Sequence, residues 1–279
     1  MVGKFIIKSG ELIPIEKATM SLGNIEYAYG FGVYETIKLQ NDIIYFAKDH
    51  VERLIKSAEQ IGLVHRFIAS KLLEELNLLI SKNGISSANI KMLLIGAEDL
   101  QDVELFIFML NPLYPSKKLY SEGASVITIE YERLFPKAKT LNMLGSYLAF
   151  KKAKNSNCYD ALFVDKNGNI TEGTRTNFFT MKEKTIFSPP EEKVLGGITR
   201  KTLLYVARKN NFKVIEREIP RKDIAKYDGA FLTTSISSKI IPVRKIDDFD
   251  FKEISLDLKL LSDSYSQFFK NCGGKFDEK

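Results

Sequence analysis

A lysine, a glutamate and an arginine stand where an ordinary solvated surface has no need of them. Lys139, in FPKAKTLNMLGSYLAF (135–150), falls where a strand is expected to give way to a helix, just ahead of the apolar set Leu141, Leu144 and Leu148. An amine held in a partly dry junction of that kind has a depressed pKa and becomes nucleophilic. The chain has 41 Lys and Arg, so a solvated side chain is the competing reading, and Lys137 on the same expected strand face competes for the role. Glu172 lies in ITEGTRTNFFTMKEKTIFSPP (170–190), fenced by small polar residues inside what reads as a pair of strands. Gly173 and Arg175 follow it, and a plain hairpin requires none of the three.

Two further stretches have the composition of anion sites. In VLGGITRKTLL (194–204), Gly196 and Gly197 precede Ile198-Thr199-Arg200, which open a helix. Backbone N–H groups and the helix dipole favour an anion there, and Thr199 adds a hydroxyl; an ordinary Gly-rich turn with Thr199 as N-cap fits equally well. FLTTSISSKIIPV (231–243) is a strand ending in a hydroxyl-rich turn, which reads either as a phosphate nest or as a plain Ser/Thr loop. In FAKDHVERLIKSAEQIGL (46–63), helical geometry puts Arg53 opposite the apolar stripe, so periodicity alone predicts that it faces solvent.

These residues need a scaffold, and the chain's rhythm supplies one. Strand composition at Phe5 to Ile7, Tyr34 to Leu39 and Ile43 to Phe46, with an Asn41-Asp42 turn, gives way to a helical face of Val51, Leu54, Ile55, Ala58 and Ile61. A helix over Ile68 to Ser81 and buried strands at Lys91 to Ile95 and Val103 to Leu110 follow. Two prolines in Asn111-Pro112-Leu113-Tyr114-Pro115-Ser116 mark the best linker. Beyond it come a strand at Ala124 to Glu132, a helix at Thr140 to Lys154 and a strand at Ala161 to Asp165. Strands at Asn177 to Met181 and Thr185 to Phe187, a helix near Ile198, and strands at Lys213 to Glu218 and Gly229 to Thr233 complete the pattern, and the tail from Gly273 is expected to fray. The expectation is an α/β fold of α+β character in two parts, residues 1–115 and 116–279, the second with a strand-rich core.

Composition excludes several classes. With two cysteines and two histidines in 279 residues, a disulfide framework, a structural zinc site and a Ser–His–Asp centre are poorly supplied. The net charge of +6 is spread among interspersed acids and bases, which argues for a solvated surface and against nucleic acid. The longest apolar run, VELFIFML, contains Glu104 and is far too short for a bilayer, and MVGKFIIKSGELIP lacks the apolar core of a signal peptide. A cytoplasmic protein without membrane partners is expected.

Taken in order, YAYGFGVYETIK, HVERLIKSAEQIG, KTLNMLGSYLAFKKAK, TEGTRTNFF, VLGGITR and SSKIIPV resemble the fold-type-IV, or class IV, pyridoxal-phosphate aminotransferases. That family comprises branched-chain aminotransferases, D-amino-acid aminotransferases and aminodeoxychorismate lyases. The resemblance implies that Lys139 forms the aldimine with pyridoxal 5'-phosphate and that Glu172 faces the pyridine nitrogen. It implies phosphate contacts from Arg53, Gly197, Ile198, Thr199 and Ser237, with the backbone of Ile236 standing in for a more usual threonine. Leu195 would pack on the cofactor ring and Tyr34 would border the substrate pocket. The cofactor would lie between the two parts, in a homodimer acting on amino acids and 2-oxo acids. The implied reaction is ping-pong amino transfer from a branched-chain or D-amino acid to an acceptor such as 2-oxoglutarate. A lyase releasing pyruvate is the alternative, and a non-catalytic ligand-binding relative the remote one.

The carboxylate-binding arginines of the better-known relatives are missing from IKMLLIG (90–96) and GAEDLQDVE (96–104). Arg175 is the residue offered instead. Its guanidinium suits a two-pronged grip on a substrate carboxylate, while an outward side chain paired with a surface acid is the other reading.

Overall fold

A computed structural model of the chain describes residues 1–237 and 239–276. Ser238, in the hydroxyl-rich turn, lies outside the described residues, as do residues 277–279 of the tail expected to fray. The chain forms two compact units, one of Met1–Leu113 with Ala138–Met143 and the stretch from Gly273, the other of Tyr114–Lys137 and Leu144–Cys272. A single cut near the proline linker therefore does not describe the division, because the segment bearing Lys139 groups with the first unit.

In the first unit, alternation builds a sheet with two different faces. Strands β1 (Val2–Lys8), β2 (Glu11–Pro14), β3 (Gly32–Gln40), β4 (Ile43–Ile44), β5 (Ala88–Ile95) and β6 (Glu104–Leu110) pair in the order β2-β1-β6-β5-β3-β4. Helices α1 (Ala47–Gln60) and α2 (Ala69–Asn83) are the unit's two α-helices. Val33, Ile37 and Leu39 of β3 join Val51, Leu54 and Ala58 of α1 and Leu72, Leu76 and Leu79 of α2 in one buried cluster. Burying such side chains contributes about 1.5–3 kcal/mol each. Period two then turns Tyr34, Thr36 and Lys38 to the opposite face.

Three expectations are corrected here. The strand expected to reach Phe46 stops at Ile44, since Phe46 adopts a left-handed φ of 57° and opens α1. Its N–H donates to the Gly274 carbonyl at 2.6 Å, which pins the chain end that was expected to fray from Gly273. The helix expected from Thr140 begins only at Leu144, because 139–141 run extended along β3. The Tyr34 N–H donates to Lys139 O at 2.9 Å, the Leu141 N–H donates to Gly32 O at 2.8 Å, and Thr140 bridges Val33. Leu141 packs among buried side chains, while Leu144 and Leu148 are exposed.

In the second unit, α3 (Lys117–Glu122), β7 (Ala124–Glu130), α4 (Leu144–Asn155), β8 (Asp160–Val164), β9 (Ile170–Gly173), β10 (Asn177–Lys182) and β11 (Thr185–Ser188) come first. Then follow α5 (Ile198–Lys209), β12 (Lys213–Glu216), β13 (Gly229–Thr233), β14 (Ile241–Ile246), β15 (Phe249–Asp250) and α6 (Leu256–Asn271). The sheet runs β12-β11-β10-β13-β14-β7-β8-β9, and β9 pairs in turn with β10. Six strands thus close into a ring, its seam a single residue pair, Glu172 with Asn177. Ala124, Leu162, Phe178 and Leu232 point into its core. Among the described residues, no helix is long and apolar enough to cross a membrane.

Candidate active site

Lys139 stands on the open face of the first unit's sheet. Its extended backbone is held by β3 and by a 3.2 Å bond from its N–H to Ser57 Oγ of α1. Its half-buried side chain puts Nζ 4.5 Å from the centroid of the Tyr34 ring. Lys91 of β5 reaches the same ring at 3.6 Å. Burial, the Lys139 charge and, in opposition, the Glu35 charge leave the Lys91 amine lowered to about 7. Burial likewise lowers Lys38 to about 8. Lys137, the competitor for the amine role, is an exposed turn residue.

Across the sheet, on the helix-covered face, sits Glu35. Burial alone would raise its pKa, but the charges of Arg53 and His50 and their hydrogen bonds hold it well below the usual carboxylate range. Arg53 donates from Nε to Oε1 at 2.6 Å and from a terminal nitrogen to Oε2 at 2.8 Å, and His50 Nδ1 meets Oε2 at 2.7 Å. Burial pushes the His50 pKa down, against the pull of Glu35. Arg53 therefore does not face solvent as periodicity predicted, because it reaches from α1 to a fully buried acid on the adjoining face of β3. Reasoning from the sequence missed Glu35, although a charge at an inward position of Val33-Tyr34-Glu35-Thr36-Ile37 was a readable signal.

In the second unit, Glu172 is buried at the seam of the ring. Arg133 donates to Oε1 at 2.9 Å and the Leu195 N–H to Oε2 at 3.1 Å. A carboxylate offers about four lone-pair sites, so these two bonds fix the group and leave it able to accept from a ligand. The Leu195 carbonyl accepts from Asn177 Nδ2 at 3.1 Å, so β9 and β10 both grip the loop that leads into α5. Gly197 is the N-cap, and a Cβ there would collide with Asn177 Oδ1. Among the described residues no side chain caps the helix, which leaves amides of its first turn for another acceptor. Thr199 is buried and meets Thr233, the last residue of β13, at 3.5 Å between hydroxyls. The turn after β13 closes by a 3.0 Å bond from Ser237 N–H to Thr234 O, with Ile236 inside it. Ser237 Oγ meets Tyr120 at 2.7 Å.

Arg175 owes its direction to its neighbours. Thr174 and Thr176 both turn inward to donate to the fully buried Asp160 carboxylate, the latter at 2.9 Å. Alternation sends Arg175 outward, where its guanidinium stacks 3.7 Å from the Phe150 ring. Among the described residues it makes no ion pair, so it does not take the surface-acid partner considered above. A Cβ at Gly173 would strike Thr176 Oγ1, which explains the glycine of the motif.

The structure thus gathers Tyr34, Arg53 and Lys139 in the first unit, and Glu172, Leu195, Gly197, Ile198, Thr199, Ile236 and Ser237 in the second. The first unit holds a half-buried amine, and the second an anchored carboxylate and an uncapped, hydroxyl-flanked helix start, each a kind of group that an aldehyde-bearing pyridine phosphate uses.

Comparison with known proteins agrees with this chemistry. The family model "Amino-transferase class IV" matches residues 32–246. A D-alanine aminotransferase of Bacillus licheniformis is 27% identical over 87% of this chain and 88% of its own. A probable branched-chain-amino-acid aminotransferase of Rickettsia felis is 29% identical over 91% of both. Among solved structures, the branched-chain aminotransferase of Escherichia coli superposes with a TM-score of 0.88 at 23% identity, covering 99% of this chain and 97% of its own. That of Thermobaculum terrenum in its PLP form gives 0.84 at 24% identity, with 96% and 94% covered. The chain belongs to the class IV aminotransferase family.

Proposed function

We propose that this class IV aminotransferase moves an amino group from a branched-chain or D-amino acid to a 2-oxo acid such as 2-oxoglutarate, in two half-reactions on one cofactor. The observation that carries the reading is the half-buried Lys139, whose Nζ lies 4.5 Å from the centroid of the Tyr34 ring. Pyridoxal 5'-phosphate, the cofactor of the family, supplies an aldehyde for the amino group and a ring that accepts the electron pair left by the substrate Cα–H bond.

The chain's own residues supply the rest. Lys139 Nζ would be the amine that holds the cofactor and, when free, the base that moves the substrate Cα proton. Glu172, fixed by Arg133 and the Leu195 amide, would accept a pyridine N–H and so favour the protonated ring. Ile198 and Thr199 at the helix start, with Gly197, Ile236 and Ser237, bind phosphate through amides and hydroxyls. Arg53, oriented by Glu35, has a share in that binding. Leu195 packs on the ring and Tyr34 borders the substrate. Arg175, its guanidinium carbon 3.7 Å from the centroid of the Phe150 ring, would present its fork to a substrate carboxylate. The exposed Leu22, Ile25, Tyr27 and Tyr29 of the first unit are an apolar surface suited to a second copy of the chain, consistent with a homodimer.

The test is a visible spectrum of the cofactor-supplied protein as amino acids are added singly. An absorption band lost with D-alanine or D-glutamate but not L-leucine assigns D-type donors, and the reverse assigns branched-chain donors. Pyruvate release without an added 2-oxo acid would mean a lyase. A protein with no such band overturns the whole reading.

A further inference from the structure

Lys91 is the residue that neither the motifs nor the proposed reaction absorbs. It lies on β5 opposite Thr36 of β3 in the ladder, on the same face as Tyr34 and Lys38. Among the described residues it forms no ion pair, although most of its side chain is out of water. A mostly buried ammonium without a carboxylate partner is costly. What it does have is the Tyr34 ring, 3.6 Å from Nζ, and the same ring carries Lys139 Nζ at 4.5 Å. A ring face compensates a cation only in part, and two ammoniums on one ring repel each other.

Further charged and titratable groups of the described residues surround the pair. From β3 come Tyr34, Lys38 and Glu35, and from α1 His50 and Arg53, with Ser57 at the Lys139 backbone. Glu35 is the one acid among them, and its oxygens already accept from Arg53, His50 and the Thr36 N–H. Arg53 and Lys38 add positive charge.

We infer that Lys91 and Lys139 form a linked amine pair across the Tyr34 ring, in which Lys91 is a positioning residue that sets the pH at which Lys139 becomes a free nucleophile. This rests on the reading of Lys139 as the amine that bonds the cofactor. Two amines this close titrate as a linked pair, each making the other's proton easier to lose. The lowered value of Lys91, caused first by burial and then by the Lys139 charge, agrees with that arrangement. The repulsion is mutual: a permanent charge at 91 pushes the Lys139 titration down, and loss of the charge lets it rise.

The experiment is competitive trace acetylation of the full chain freed of cofactor, from about pH 6 to about pH 11, reading the Lys139 peptide by mass spectrometry. Lys91→Arg should move the Lys139 midpoint down and Lys91→Met should move it up, the two differing by about one pH unit. At neutral pH that is about a tenfold difference in Lys139 labelling. A purely structural role for Lys91 predicts no such opposed shift, and midpoints that coincide in the two variants overturn the inference. If Lys91→Met does not fold, Lys91→Arg against the wild type decides, since an unmoved midpoint refutes the pair. Borohydride reduction of the cofactor-loaded wild type, followed by mapping of the modified lysine, tests the underlying reading separately. A label on a lysine other than Lys139 ends that reading without touching the labelling comparison.

Discussion

Glu35 and Glu172 are both buried strand residues bound by an arginine, and they differ in how much of each carboxylate is spoken for. Glu35 accepts two bonds from Arg53, one from His50 and one from the Thr36 N–H. That fills the group and ties α1 to β3. Glu172 accepts one bond from Arg133 and one from the Leu195 N–H, and retains capacity for a ligand. The contrast teaches that a saturated buried carboxylate organises its surroundings, whereas a fixed but unsaturated one is equipped for chemistry.

The sharpest way to break the contrast is to remove Glu35. Glu35→Ala leaves Arg53 facing the core without its acid, and chemical unfolding should report a loss of about 3–5 kcal/mol. An unchanged urea midpoint would reduce Glu35 to a bystander. Glu172→Gln should do the reverse. The urea midpoint moves by less than about 1 kcal/mol, because Arg133 is partly solvated. Turnover falls about a hundredfold, because a neutral amide cannot favour the protonated ring. Equal losses of stability in both variants would erase the distinction.

The open face of the same sheet gives a third, smaller effect. Lys91 titrates at about 7 in the folded protein and at about 10.4 when unfolded. Between those values the unfolded chain binds more protons, so stability rises with pH across that window. We expect a gain of about 1–3 kcal/mol from neutral pH to about pH 10, flattened in Lys91→Met, as read from urea midpoints. Glu35 works in the acid range and in the same direction. Its folded pKa is depressed, so its contribution is intact above the unfolded carboxylate value and disappears as the pH falls further. The smallest effect belongs to Arg175→Ala, for which KM for the amino donor should rise about tenfold with kcat nearly unchanged. No change with any accepted donor would remove Arg175 from the substrate site.

How much of this was legible follows the physics of each residue. Motif order carried the family because Gly173, Gly197 and the threonines beside Arg175 are demanded by close approach and by Asp160. Periodicity located α1, α2 and most strands of the first sheet, but not the short β2. It failed for Arg53 because a helical wheel sees only the helix's own apolar stripe, not a buried acid on a neighbouring strand. Thr140 and Leu141 misled in the same way. Their local sequence favours a helix, but ladder bonds to β3 hold them extended. The helix α6 was not expected, although Ser255 caps it and Leu258, Leu261, Tyr265 and Phe269 keep helical spacing.

The single-pair seam between β9 and β10 has a further consequence, in the time domain. Leu195 belongs to a loop, and loop amides ordinarily exchange their hydrogens with solvent quickly. Its N–H is bound to the buried Glu172 and its carbonyl to Asn177, so its exchange is governed by opening of the seam rather than by loop motion. One slowly exchanging amide in a fast loop would then be a clock for the ring, recording each time the barrel parts at Glu172 and closes again.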